Sequence, residues 1–244
     1  MLLRHGESTA NAAGRFAGWW DVELSPFGVA QAEAAADLLV AVDAVPDVLL
    51  TSPLRRAART AELVADRTGC AARAVVTCPA LTERAYGALT GRRKVEVSRV
   101  FGAELAQFWR RSLTGLPPAA SAVDPDVWDP TDVLGSDARA AAEHRESLRD
   151  VMGRVRGWRD HALQPRLAAG QRVLVVAHGN SLRALIAVLD GLDADEVQVL
   201  NVPTGQPLRY DLDRGAVPVP RSGRYLDPEG AATATLALTR EGGT

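Results

Sequence analysis

Short unbroken apolar runs alternate along this chain with longer stretches whose apolar residues recur at helical spacing. Val173 to Ala177 (VLVVA) contains no polar position, which predicts a strand buried on both faces, as in parallel sheets. Val48 to Thr51 (VLLT) repeats the pattern, and Leu2-Leu3 reads as the end of another such strand. Ser25-Pro26 sets a capping residue before a proline at the first helical position, ahead of an alanine-rich helix to about Val42. Ser52-Pro53 gives the same signal before LRRAARTAELVADRTG, which Gly69 closes. Asn180 or Ser181 starts a further helix, LRALIAVLDG, also closed by a glycine. Strands alternating with helices predict an α/β fold, three-layer α/β/α with a mainly parallel sheet.

The middle of the chain reads differently. Residues 92 to 111 (RRKVEVSRVFGAELAQFWRR) carry six Lys/Arg against two Glu on a predicted helix. GLPPAASAVDPDVWDPTD follows as a long ordered loop or lid, then a helix from about Ala140 to Ala169. No composition break divides the chain, so one domain is expected over 1–244. The stretch from about 92 to 140 is a helical, basic, lid-like insertion over the sheet's carboxyl edge. The tail after Tyr225 ends in REGGT, and its last residues are expected to be mobile.

Composition narrows the class. The 244 residues are 47% apolar and 24% charged, ordinary for a globular protein, and the net charge is −2. That balance argues against a dedicated nucleic-acid or acidic-membrane binder. Cys70 and Cys78 show neither metal-ligand spacing nor a disulfide framework. No apolar run reaches 18 residues, and Arg4 and His5 interrupt the place where a signal peptide's apolar core would lie. A cytoplasmic protein is expected.

Two of the four histidines stand in one context: an apolar run followed by His-Gly, at His5-Gly6 and His178-Gly179. If both pairs close parallel strands, both imidazoles emerge at the carboxyl edge of one sheet, where open α/β sheets bind ligands. The helix after His178 can turn its N-terminal amides toward an anion. Arg4 precedes His5, and Arg55, Arg56 and Arg59 open the helix after VLLTS. Imidazoles among guanidinium groups suit a phosphate, and an imidazole kept neutral by fixed cations can be a phosphoryl-accepting nucleophile. Glu83, in LTERAYGALTG, offers a proton donor for the leaving oxygen, with Tyr86 close behind. Each feature also has a plainer reading. A His-Gly at a strand end can be a capped turn, Glu83 a solvated loop residue, Arg55-Arg56 an exposed helix face, and Trp109-Arg110-Arg111 a packed Trp with two solvated arginines. A zinc site would need a third ligand, and no residue is spaced as one. Composition and spacing reach a phosphate-handling α/β protein and no further.

An ordered set of motifs carries more. LLRHGESTANAAGRFAGWWDVELSPFG, TSPLRRAARTAEL, LTERAYGALTG, FWRRSLTGLPP, RESL, VLVVAHGNSLRALI and LNVPTGQPLRYDLD together resemble the cofactor-dependent phosphoglycerate mutases of the histidine phosphatase superfamily, over roughly the whole chain. The resemblance implies interconversion of 3- and 2-phosphoglycerate, in glycolysis and gluconeogenesis, through a phosphohistidine at His5. It implies 2,3-bisphosphoglycerate as the primer and no metal. Arg4, Arg56 and His178 match the groups around the transferred phosphoryl, with Asn11, Ala17, Gly18 and the backbone at Gly179 and Asn180 beside them. Glu83 matches the proton-transfer carboxyl. Tyr86, Lys94, Arg110 and Arg111 match the groups that hold the glycerate carboxylate and second phosphate. Partners are then small phosphoglycerates, with no nucleic acid or membrane, and a homodimer or homotetramer as the assembly. A phosphatase of the same superfamily, or a non-catalytic phosphoglycerate-binding paralogue, are the competing readings. Ala17 stands where the family usually carries Ser or Thr, and Ala85 where it usually carries His. Met1 leaves only two residues, Leu2 and Leu3, before Arg4, where relatives have a fuller first strand.

Overall fold

The computed structural model describes residues 1–71, 74–123, 135–213, 217–219 and 221–240. Its strands are β1 (Leu2–Arg4), β2 (Val48–Thr51), β3 (Val75–Thr77), β4 (Val173–Ala177), β5 (Leu208–Arg209) and β6 (Arg224–Tyr225). The helices are α1 (Thr9–Ala12), α2 (Pro26–Ala41), α3 (Arg55–Thr68), α4 (Lys94–Phe101), α5 (Ala103–Arg111) and α6 (Gly135–Ala142). They continue as α7 (Leu148–Trp158), α8 (Gln164–Ala168), α9 (Gly179–Asp190), α10 (Ala194–Val199) and α11 (Pro228–Arg240).

The sheet order is β3-β2-β4-β1-β5-β6. The first four strands are mutually parallel; at the far edge β5 runs antiparallel to β1, and β6 antiparallel to β5. Successive strand residues point to opposite faces, so the all-apolar runs feed two cores at once. Leu2, Leu50, Val173 and Val175 join Leu148 and Val151 of α7 and Leu182 and Leu185 of α9. Leu3, Leu49, Leu174 and Val176 join Ala35 and Leu39 of α2 and Ala61 and Val64 of α3. Helices therefore cover both faces, the three-layer α/β/α arrangement that the hydrophobic pattern predicts. A third, smaller cluster of Phe16, Tyr86, Leu89, Val97 and Trp109 ties the basic insertion to the loops around it.

Four expectations are corrected. The helix predicted over 92–111 is two helices, because Gly102 at φ +86° turns the chain between α4 and α5. The helix predicted from Ala140 breaks after Ala142. It restarts at α7, where the Ser147 hydroxyl caps the Asp150 amide and the Asp150 carboxylate caps Ser147 in return. Past Trp158, a π-helical turn over Arg159–Leu163 leads into α8, where Pro165 cannot donate to the ladder. Ser52 caps no helix: α3 starts at Arg55 after Leu54, and α9 starts at Gly179 with His178 itself at the cap position. Of the lid-like loop, Asp124 to Asp132 lie outside the described residues, as do the last four residues of the tail. Among the described residues, no helix is long and apolar enough to cross a membrane.

Candidate active site

Strand register answers why the chain holds two His-Gly pairs. β1 lies parallel beside β4, with Arg4 opposite Ala177, so the next residues of both strands, His5 and His178, leave the sheet side by side. The His5 amide donates to the Ala177 carbonyl at 3.0 Å, and the two rings stand 4.9 Å apart at 63°. Both histidines are buried. His5 Nδ1 lies 2.6 Å from the Gly6 carbonyl, which can only accept, so Nδ1 carries the proton and Nε2 keeps its lone pair. Gly6 is required by close approach: a Cβ there would sit 2.0 Å from the carbonyl oxygen of Gly28, at the start of α2. Sequence reasoning missed Ser52, whose hydroxyl lies 2.8 Å from His178 Nε2; its helix-cap signature hid that contact.

Cations surround the pair. Arg4 is buried and donates to the Val202 carbonyl at 2.8 Å. Arg56, also buried, donates to the carbonyls of Trp20 at 2.9 Å and Gly18 at 2.8 Å. Arg55 and Arg59, at the same helix end, turn outward to Asp21 with Glu23 and to Glu62. Burial pulls Arg56 down to about 10, still protonated at neutral pH. Burial first, then the charges of Arg56 and Arg4, hold both imidazoles well below the ordinary histidine value. At neutral pH the His5 ring is therefore uncharged and nucleophilic.

The depressed imidazoles give a stability prediction. Above pH 6.5 the histidines are neutral in both the folded and the unfolded chain. Below it, the unfolded chain binds protons that the buried rings refuse, so stability falls with pH, by about 1 kcal/mol per unit for each ring. The Met1 α-amino group, lowered by burial to about 5, costs stability over the same range, so the histidine contribution is read as the difference between the wild type and His5→Asn in urea unfolding at pH 7.5, 6.5 and 5.5. His5→Asn is expected to lose about 1 kcal/mol less than the wild type between pH 6.5 and 5.5, and equal losses in the two proteins would contradict the account.

Glu83 lines the same cavity as His5. Its Oε1 accepts the amides of Arg84 at 2.8 Å and Asn180 at 3.1 Å, which leaves Oε2 for the cavity. Asn180 Nδ2 donates to the Tyr86 hydroxyl at 3.0 Å. Asn11 accepts from Ser8 through its carbonyl, which leaves its NH₂ as the donor on the cavity side. Gly18, at φ +53°, packs so tightly that a Cβ would lie 3.2 Å from the Arg84 carbonyl. Ala17 lines the same wall with no hydroxyl to offer.

Lys94, at the start of α4, and Arg110, at the end of α5, also line the cavity. Arg15 and Phe16 line it too, neither of them singled out from sequence. Arg111 is not brought to the cavity. Its guanidinium donates to the carbonyls of Gln198 at 2.7 Å and Leu200 at 2.7 Å and to Asn201 at 3.1 Å. His178 and Gly179 likewise stand outside the lining, His178 packed against the His5 ring and Gly179 as the first residue of α9. Five cations, Arg4, Arg15, Arg56, Lys94 and Arg110, thus face one carboxylate, Glu83, across 40 Å³ of cavity. Asn11, Lys94 and Arg110 also wall a neighbouring 740 Å³ hollow, which Arg240 of the C-terminal helix reaches. Such a donor set fits a small molecule with anionic groups at both ends, including a bisphosphorylated glycerate.

Comparison with known proteins agrees with this geometry. The family model for the histidine phosphatase superfamily (branch 1) matches residues 1–124 and 115–220. The 2,3-bisphosphoglycerate-dependent phosphoglycerate mutase of Rhodococcus jostii is 42% identical over 247 residues, covering 100% of this chain and 96% of that protein. The protein of the same name from Bifidobacterium longum is 39% identical, covering 99% and 97%. Among solved structures, a mycobacterial glucosyl-3-phosphoglycerate phosphatase matches with a TM-score of 0.65 and 26% identity, over 92% of this chain and 95% of that one. A putative alpha-ribazole-5'-P phosphatase from Escherichia coli gives 0.61 and 25%, over 88% and 90%. From motif, fold and site together, the chain belongs to the phosphoglycerate mutase family of enzymes within the histidine phosphatase superfamily.

Proposed function

We propose that this protein is a 2,3-bisphosphoglycerate-dependent phosphoglycerate mutase that interconverts 3- and 2-phosphoglycerate in the cytoplasm. The observation that carries the reading is His5, its ring 4.9 Å from that of His178, in a cavity lined by five cations and Glu83. One end suits the phosphoryl group in transfer, and Lys94 with Arg110 suits the remaining anionic groups of the glycerate.

His5 Nε2 attacks phosphorus in line with the leaving oxygen. Arg4, Arg56 and Asn11, which line the cavity, hold the equatorial oxygens, whose charge they stabilise as the bond to oxygen lengthens, while His178 packs against the His5 ring from behind. The Glu83 carboxyl gives its proton to that oxygen as the bond breaks. The same carboxylate takes a proton from the other hydroxyl of the glycerate when the phosphoryl returns to it. When bound, 2,3-bisphosphoglycerate supplies the phosphoryl group that first loads His5. Arg4, Arg56, Lys94 and Arg110 are the residues that would hold it.

A phosphatase is the second reading, favoured by the names of the similar solved structures. Product identity separates the two. With 3-phosphoglycerate, phosphorus NMR is expected to show 2-phosphoglycerate formed faster when a trace of 2,3-bisphosphoglycerate is added, with little free phosphate. Free phosphate as the main product would replace the mutase reading with the phosphatase.

A further inference from the structure

Glu83 is gripped from behind as well as at its carboxylate. Its backbone carbonyl accepts Trp19 Nε1 at 2.6 Å and Arg154 Nη2 at 3.1 Å. Arg154, on α7, also donates Nη1 to the Ala80 carbonyl at 2.6 Å. Its Nε and Nη2 form a two-point pair with Glu146, at 2.8 and 3.0 Å. Glu146 Oε2 in turn accepts the Ala85 amide at 3.0 Å. One ion pair, with side chains only 22% and 16% exposed, therefore holds peptide groups of residues 80, 83 and 85 at once. Neither partner lines the catalytic cavity.

We infer that the Arg154–Glu146 pair is the positioning device that holds the Glu83 carboxyl at the leaving oxygen. The inference rests on the reading of Glu83 as the proton donor. Trp19 holds the Glu83 carbonyl, and the amides of Glu146 and Gly87 tie the segment's far side to residues 144–146; the ion pair adds the Ala80 carbonyl and the Ala85 amide, so that Glu83 is braced on both sides. Proton transfer needs heavy atoms within about 2.6–3.2 Å, so a small rotation of this segment removes it while leaving His5 and its cations in place. Mutual neutralisation makes the pair suited to the task, since a half-buried guanidinium or carboxylate alone would be drawn toward water.

The leaving group provides the test. Transfer from 2,3-bisphosphoglycerate to His5 breaks a P–O bond whose electron pair goes to an alkoxide oxygen, which must receive a proton. Transfer from p-nitrophenyl phosphate releases a stable phenolate that needs none. Single-turnover phosphorylation of His5 is measured with both donors in the wild type, Arg154→Met, Arg154→Lys and Glu83→Gln. Arg154→Met is expected to lose at least tenfold more rate with the alkyl donor than with the aryl donor, and Arg154→Lys to recover part of the difference. Equal losses with both donors in Arg154→Met, beside a selective loss in Glu83→Gln, would overturn the positioning role and leave Glu83 as proton donor. Equal losses in Glu83→Gln itself would overturn the proton-donor reading instead. Glu146→Gln keeps an acceptor for Ala85 and gives the same readout if Arg154→Met does not fold.

Discussion

His5→Asn is expected to lower phosphoryl transfer on the order of 10⁴- to 10⁶-fold, the scale seen when a nucleophile is removed from a preorganised site. Asparagine is chosen because its NH₂ can still donate to the Gly6 carbonyl that His5 Nδ1 now engages, so the loop keeps its shape. His178 does not replace the lost nucleophile. It stands at the N-cap of α9, and its Nε2 is engaged by Ser52 at 2.8 Å. The variant is also expected to take up no phosphoryl group from 2,3-bisphosphoglycerate, as read by mass spectrometry of the intact chain. Activity within a hundredfold of the wild type, or a phosphorylated variant, would remove His5 from the centre of the mechanism.

Glu83→Gln is expected to lower kcat by roughly 10²- to 10⁴-fold with 3-phosphoglycerate and to leave KM within a few-fold. Glutamine preserves the acceptor at Oε1 for the amides of Arg84 and Asn180, so the wall keeps its position and only the dissociable proton is lost. The split between kcat and KM identifies a group acting on the moving proton. A rise in KM at constant kcat would place Glu83 among the binding groups.

The parallel sheet was legible because burial on both faces leaves no polar position in β4 and almost none in β2, a pattern that solvent-facing elements do not produce. The His-Gly pairs were legible for the same reason: each directly follows such a run, and strand ends in α/β sheets point into one crevice. Arg110 and Arg111 show where that legibility ends. Neighbours on a helix point about 100° apart, so one faces the cavity while the other reaches the carbonyls of Gln198 and Leu200 at the end of α10, and the dipeptide alone cannot say which. Ser52 was misread because Ser-Pro is a helix-start signature whatever the serine touches, and its true partner lies 126 positions away. The Arg154 contacts to Ala80 and Glu83 span 74 and 71 positions. No local pattern encodes such contacts; they follow from the packing of α7 beside the loop.

The fate of the phosphoryl group on His5 tests the central claim most directly. Enzyme loaded with radiolabelled phosphoryl from 2,3-bisphosphoglycerate is freed of excess primer and mixed with unlabelled 3-phosphoglycerate. A mutase passes the label to the glycerates, as 2,3-bisphosphoglycerate and 2-phosphoglycerate, faster than water removes it. Label appearing chiefly as inorganic phosphate, at a rate that 3-phosphoglycerate does not alter, would contradict the account.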